Sequence, residues 1–567
     1  MNAADFRVAL KRKWPLLAWV YSTLRFLREI TRTVRMISRL ESVGRTAQVG
    51  NGDRVVIFNL VRTYVPIQLV IEAALALKLK ARGYDVHILY DDGVLYHHET
   101  LTRNDPAPFQ PYYRLRRAWS LRLLRTVPTL RDMMEPYSRY LRRSDLPELN
   151  EPIGSDGRVC AHFELEPFVR ASLVRFFLSA PDSRLLESEP DYQRARTMFV
   201  RNAIVSLAVA QRVHDRLKPT LLVTSHGIYS SLGTFMKFMM SRGVRSITYG
   251  LNGYTSNSLD LAVDDIAANK SDGGYLKYLA DEVVDVTLSR LELSERVTSF
   301  MDQRLRGGSD DIARLAADHG SQRAEVLTRL DEQRAAGRDI FALFPNVMWD
   351  NATTFEEWNR LFESPVQWLV ETVRYFAESA EKVLVIRVHP AERSWMPPRK
   401  SVRDILDVYL DRQTLARDNI IIIAPQEALS SYSLFAYLRG GIVYNGTIGL
   451  ELIFAHIALI VGARAAYSEH GFTAELCSRD EYFAAFDDTE RILKHQEDHL
   501  DQALLFAYEY FFLHGVPMKF MSRRRQAGPD YAGRPEEMWR DANLEHVVRV
   551  ITGEREFFQD HWRQNAK

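Results

Sequence analysis

Cysteine is nearly missing: Cys160 and Cys477 are the only two in 567 residues, far apart and outside any Cys-x-x-Cys pair. A disulfide framework is thereby excluded, a cysteine zinc site is disfavoured, and a reducing compartment fits. Net charge is nearly missing too. With 74 basic and 73 acidic side chains the formal charge is +1, so no global field draws the chain to nucleic acid. Long hydrophobic runs do not occur. The most apolar early window, "WPLLAWVYSTLRFL", has 14 residues and contains Arg25. It is too short to span a bilayer and lacks the small-residue cleavage pattern of a secretory signal. Internal repeats, low-complexity tracts and long linkers are also lacking, which sets aside repeat arrays and flexible tails.

What is present is an ordinary globular composition, 46% hydrophobic and 26% charged. At 567 residues one hydrophobic core does not suffice, so two domains are expected. The charge balance conceals an asymmetry: residues 1–50 hold ten Lys/Arg against three Asp/Glu. Trp14, Leu17, Val20, Tyr21, Leu24 and Leu27 recur at helical spacing, with Arg25, Arg28, Arg32 and Arg35 largely on other faces. Two readings stand. One is a basic amphipathic helix lying on an anionic inner-membrane surface; the other is a helix packed on the protein's own surface.

From Arg54 the text becomes α/β. "RVVIFNL" reads as a strand, "PIQLVIEAALALKLKARG" as a helix with Pro66 early and Gly83 as its stop, and "DVHILYDDG" as the next strand. This spacing is a βαβ unit with parallel strands. An Arg- and aromatic-rich helical insertion, about 100–195, follows. Its "RLRRAWSLRLLRTVPTL" reads chiefly as a solvated helix and alternatively as a surface for an anionic or lipid-linked partner. Strand–helix–strand text resumes with "TLLVTSHG", and a second α/β unit starts at "DIFALFPNVMWD". The expected division is 1–50 basic helical segment, 51–335 first Rossmann-like domain, 336–505 second Rossmann-like domain, and 506–567 C-terminal helical segment. The fold class is therefore α/β, with two doubly wound domains facing across a cleft.

The chemistry concentrates between Lys382 and Gly462. In an open parallel sheet, ligands sit beyond the carboxyl ends of the strands. "KVLVIRVHPAER" ends a strand in Arg387, His389 and Pro390, with Arg387 and His389 two apart and so on one face. "GGIVYNGTIGLELI" turns from strand to helix at Asn445-Gly446-Thr447. Free N–H groups and the positive end of the helix dipole suit phosphate there, and Gly446 permits close backbone approach. Thr447 is either the N-cap or a direct hydroxyl donor. Glu451 lies one turn on; a capping box would need an acid at Leu450, so capping does not explain it. It is read as a partner for a ribose, against a plain ion pair or dipole compensation.

"VLVIRVHPAE" followed by "VYNGTIGLELI" resembles the bacterial capsule polysaccharide biosynthesis proteins and related GT-B transferases, among them Kdo transferases and bacterial sialyltransferases. "GARAAYSEHGFTAELCSRDEYF" and the first-half stretch "VVIFNLVRTYVPIQLVIEAALALKLKARGYDVHILYDDG" extend the resemblance over about 300 residues in pieces. It implies a GT-B-like fold, a CMP- or UDP-linked sugar held by the second domain, no metal or other cofactor, and a glycan or lipid-linked acceptor. His389 and Pro390 match the family's HP motif and Thr447 its hydroxyl-bearing loop, although Asn445-Gly446 replaces the doubled Ser/Thr of some relatives. A catalytic base is then required from the facing domain. Asp91 and Asp92 before Gly93 resemble an acidic pair of such enzymes, yet also make an ordinary turn. His226 in "VTSHG" rivals them, and Asp350 is a third candidate. Arg62 and Tyr64 are candidates for acceptor contact. The expected function is a cytoplasmic glycosyltransferase of capsular or surface polysaccharide synthesis. The alternatives are a CDP-alcohol phosphotransferase of the teichoic-acid type, a nucleotide-sugar 2-epimerase, and a non-catalytic assembly subunit.

Overall fold

A computed structural model describes residues 15–44, 54–60, 65–96, 112–142, 158–160, 163–251, 258–264, 290–306, 325–350, 359–394, 400–427, 429–513, 515–518 and 534–554. In chain order the first half runs α1 (Pro15–Gly44), β1 (Val55–Asn59), α2 (Pro66–Ala81), β2 (Asp85–Tyr90), α3 (Tyr112–Leu124) and β3 (Met134–Pro136). The hairpin β4 (Arg158–Cys160) and β5 (Phe163–Glu164) precedes α4 (Glu166–Phe177), α5 (Ser183–Glu187) and α6 (Tyr192–Leu217). Then come β6 (Leu221–Ser225), α7 (Leu232–Ser241), β7 (Arg245–Leu251), β8 (Ser258–Val263) and α8 (Arg290–Leu305). The second half contains β9 (Asp339–Phe344), α9 (Pro365–Glu378), β10 (Lys382–Arg387), α10 (Ala391–Ser394), α11 (Val402–Tyr409) and β11 (Ile420–Ile423). It continues with β12 (Gly440–Val443), α12 (Ile448–Phe454) and β13 (Ala458–Val461). Last are α13 (Leu500–Tyr508), β14 (Gly515–Pro517), α14 (Pro535–Trp539) and α15 (Ala542–Thr552).

Two sheets organise these elements, and the fold is α/β with two Rossmann-like units. The second sheet has the order β11-β10-β9-β12-β13, every neighbouring pair parallel. Helices cover a parallel sheet on both faces, so its strands read as continuous apolar runs such as "DIFALF" and "IIII". Local chemistry fixes the helix starts: Ser364 caps α9 by accepting from Gln367 N–H at 3.1 Å, with Pro365 at the first helical position. The first sheet has the order β14-β8-β7-β6-β1-β2-β3. The run from its β3 edge, β3-β2-β1-β6-β7, is parallel and repeats the winding of the second sheet.

Three features depart from the sequence reading. The stretch expected as a helical insertion supplies β3, which pairs in parallel with β2 and widens the sheet. β8 runs antiparallel to β7, and β14 antiparallel to β8, so the C-terminal segment contributes an edge strand to the first sheet. α15 is tied to the same unit, since Lys78 Nζ and Arg82 of the α2 end both pair with Glu545, the lysine at 2.9 Å. A three-residue strand carries too little pattern to be read from sequence; the sheet edge it completes is a tertiary fact.

α1 is also placed differently. Its core face is Phe26, Ile30, Val34, Ile37 and Leu40, all buried in the cluster that includes α2. Val20, Tyr21 and Leu24, read as the apolar stripe, are exposed and share the outer face with Arg28, Arg32 and Arg35. The packed reading therefore describes the inner half of this helix. No helix among the described residues is long and apolar enough to cross a membrane.

Candidate functional site

A sheet wound in the order 3-2-1-4-5 leaves a crevice where the winding reverses, beyond the carboxyl ends of its first and fourth strands. In the second sheet those strands are β9 and β12. Asn346 follows β9 and Asn445 follows β12, and the structure joins them: Asn346 Nδ2 donates to Asn445 Oδ1 at 2.8 Å. Asn346 Oδ1 is buried without a hydrogen-bond partner. Asn346 was missed in the sequence, because an Asn after a strand is common; only the winding order makes its position special.

Asn445, Gly446 and Thr447 are half-buried at this reversal. Gly446 holds its carbonyl to Tyr467 Oη, which donates at 2.8 Å. A Cβ at Gly449 would stand 2.1 Å from the same Tyr467 Oη, so only glycine lets α12 sit this close. Thr447 occupies the N-cap position of α12, but its side chain makes no capping hydrogen bond.

β10 neighbours β9 on the side away from β12 and ends at the same edge of the sheet. His389 is half-buried, and its Nδ1 accepts the Ala391 N–H at 3.1 Å. That bond leaves the ring proton on Nε2. Burial, reinforced by the Arg387 charge, pushes the imidazole pKa down to about 4. His389 is thus a neutral Nε2–H donor at physiological pH, not a cation. Pro390 follows it in the turn that opens α10.

Two residues expected to face a ligand are committed elsewhere. Arg387 is buried and donates to the carbonyls of Ala424 (2.9 Å) and Leu429 (2.8 Å), so it shapes the loop after β11 instead of reaching a phosphate. Desolvation lowers its pKa to about 10, still well above neutrality. Glu451, read as a ribose partner, is 3% exposed and bound by Arg304 of α8, whose Nε and Nη2 donate to Oε1 at 2.8 and 2.7 Å. The reason is geometric: one turn into α12 is the face that packs on α8, not the face that opens at the loop.

Glu392 went unnoticed in the sequence. It lies on α10, three residues past His389, and is buried with Oε2 unpartnered. Burial, with Asp404 nearby, lifts its pKa to about 8 against one backbone hydrogen bond from Val402. It therefore keeps its proton at neutral pH. The only sequence signal was an acid immediately after an apolar strand and an HP turn.

The facing wall comes from the first unit. Val347 and Trp349 from the loop after β9, with Ala391 at the start of α10, belong to one buried cluster with Ile228 and Tyr229 from the loop after β6 and Leu232 at the start of α7. Arg175 of α4 lies over the Trp349 ring at 4.9 Å, and Tyr409 of α11 donates to Asp182 at 2.8 Å. His226 sits in that loop, half-buried, with a left-handed φ of 59° and its N–H on the Tyr249 carbonyl at 3.0 Å. A non-glycine residue held there stores of order 1 kcal/mol of backbone strain, and such strain collects at functional loops.

The acidic pair splits in two. Asp91 is buried, ion-paired with Arg117, and accepts the N–H groups of Gly93 (2.8 Å) and Leu95 (3.1 Å). Burial raises its pKa, and both carboxylate oxygens are held, Oδ1 by the loop N–H groups and Oδ2 by Arg117, so it is a loop brace and not an available base. Asp92 is exposed and accepts Ser138 N–H at 3.2 Å. Asp350 is exposed after β9. Arg62 and Tyr64 lie outside the described residues.

No family model matches the chain, and no curated protein matches it. Among solved structures it is similar to the β-Kdo 2,7 transferase of KpsC from Thermosulfurimonas dismutans (12% identity, TM-score 0.31, covering 61% of this chain and 89% of that one). It is similar to S. aureus MnaA in its complex with UDP (11%, 0.26, 69% and 94%). It is also similar to the wall teichoic acid polymerase TagF (8%, 0.22, 97% and 99%).

Proposed function

We propose that this chain is a metal-independent, GT-B-like glycosyltransferase of capsular or surface polysaccharide synthesis. It acts in the cytoplasm and moves a sugar from a CMP- or UDP-linked donor to a glycan or lipid-linked acceptor. The observation that supports the reading is the winding reversal of the second sheet. There the Asn346–Asn445 bridge and the half-buried turn at Gly446 and Thr447 stand at the ends of β9 and β12, and neutral His389 follows the adjacent strand β10.

In this reading the donor phosphate rests against the backbone of Gly446 and Thr447, and His389 Nε2–H donates to a phosphate oxygen. Glycosyl transfer breaks the bond between the anomeric carbon and that phosphate, so negative charge grows on the leaving oxygen. A fixed donor aimed at it gains strength as the charge develops. Asp92 or His226, from the facing unit, takes the proton of the acceptor hydroxyl. Asn445 acts with Asn346 to hold the two strand ends in register.

Calorimetry with CMP, CDP, UDP and GDP tests the donor half. His389→Ala weakens the preferred nucleotide by roughly 1–3 kcal/mol, the scale of one lost hydrogen bond to a charged group. Unchanged affinity rejects the assignment. Product analysis separates the rivals: phosphorus appearing in the polymer indicates phosphotransfer, and turnover of donor without acceptor indicates epimerisation. Glycan binding without nucleotide binding indicates an assembly subunit.

For the base, Asp92→Asn or His226→Ala lowers turnover about 10²-fold or more while donor affinity stays within a factor of two or so. Full turnover in both variants removes both candidates.

A further inference from the structure

α1 and α3 pack together, with the Arg116 guanidinium of α3 over the Phe26 ring of α1 at 5.3 Å. Each helix buries one face and leaves the other in solvent. On the outer face of α1, Arg28, Arg32, Arg35 and Arg39 follow one another at helical spacing, all exposed. No acid shares that face: Glu29 is paired with Arg25 at 2.7 Å, and buried Glu41 accepts Thr129 N–H. Among the described residues none of the four arginines has an ion-pair partner. α3, "YYRLRRAWSLRLL", contains no acid at all and exposes Arg114 and Arg122.

Large apolar side chains stand in the same two outer faces. Tyr21 is 55% and Leu24 61% exposed on α1, and Leu115 is 43% and Trp119 40% exposed on α3. The chain as a whole carries a formal charge of only +1, so this concentration of one sign is local. A solvated helix face has mixed charges and little reason to show Trp, Tyr and Leu. Arginines alone would equally suit a nucleic-acid backbone. Arginines interleaved with exposed apolar and amphipathic aromatic groups match a surface with anionic heads over hydrocarbon.

We infer that the adjoining outer faces of α1 and α3 dock the protein on an anionic lipid bilayer, arginines on the headgroups and Leu24, Tyr21, Leu115 and Trp119 in the interface. The inference holds whatever the cleft transfers.

The experiment is co-sedimentation of the full chain with phosphatidylcholine vesicles, with and without about 30 mol% phosphatidylglycerol. Binding to the anionic vesicles alone is expected, weakening as NaCl rises from about 0.1 to 0.5 M. Each arginine removed lowers the partition coefficient about fivefold, so R28Q/R32Q/R35Q/R39Q loses more than about a hundredfold. These four side chains are exposed and their removal leaves the core intact. Should the quadruple variant melt early, L24S/W119S reads the apolar half independently, with binding weakened at least tenfold. The wild-type lipid contrast needs no variant. Equal pelleting with neutral and anionic vesicles, or none with either, overturns the inference. So does a quadruple variant that binds like wild type, or a 30-base-pair DNA that binds more tightly than the vesicles and displaces them.

Discussion

Arg304→Ala lowers stability by about 3–5 kcal/mol, because it leaves Glu451 buried without its countercharge. The pair is among the most enclosed in the molecule, with side-chain exposures of 1% and 3%. Arg304 also lies over the Phe511 ring at 5.1 Å and the Phe300 ring at 5.7 Å, so its loss removes cation–π contacts too. Glu451→Ala has a comparable cost for the converse reason. The double variant Arg304→Met/Glu451→Leu recovers to within about 1–2 kcal/mol of wild type, since two apolar groups of similar volume carry no desolvation cost. Urea denaturation of the four proteins forms a cycle whose coupling term reads the pair directly. Additive single-variant losses would show that the two groups do not depend on each other. The same series separates structure from function: nucleotide affinity of the double variant stays near wild type, because this carboxylate holds α12 against α8 and does not reach a ribose.

Glu392→Gln makes stability less dependent on pH, and the difference from wild type widens as pH rises. The folded carboxyl titrates at about 8 against an ordinary value of 4.5. A raised folded pKa means that the native state binds the proton more tightly than the unfolded chain. The resulting stability is complete below about pH 4 and is lost progressively as pH climbs through about 8. Glutamine keeps an acceptor for the Val402 N–H and never ionises. At pH 9 the variant is therefore more stable than wild type by on the order of 4 kcal/mol, with the two similar at pH 4. Urea midpoints at pH 4, 7 and 9 check this; parallel curves for the two proteins would refute the buried, protonated state. The neighbouring His389 has the opposite sign. Its pKa of about 4 means that it must charge on acidification, so it contributes stability that is lost below about pH 6.

Some of this was legible in the chain. The strands β9, β10, β11, β12 and β13 were readable because a parallel strand covered on both faces has an apolar run, as "VLVI" within β10, "IIII" and "ALIV" do. Their carboxyl ends were readable as the place for chemistry, since a doubly wound sheet puts free loops there. His389, Asn445, Gly446 and Thr447 follow from that rule alone. The near-absence of cysteine and of long apolar runs, and the balanced charge, bounded the class before any strand was placed.

Roles of single side chains were another matter. Arg387, Glu451 and Asp91 had the right types in the right loops, yet each is spent on its own scaffold: two carbonyls, an arginine 147 positions away, and a turn. A charged group at a strand end is equally suited to a ligand or to a neighbour, and only the packed neighbour decides. Asn346 and Glu392 were invisible, and the residues of α1 were divided wrongly between its two faces, for the complementary reason. Their meaning comes from strand order, from burial, and from which side of a helix the core happens to take. Sequence periodicity alone determined that these elements form two α/β units built around parallel strands. The tertiary structure alone decided which polar groups remain open at their edges, because desolvation and pairing depend on what lies across the fold rather than along the chain.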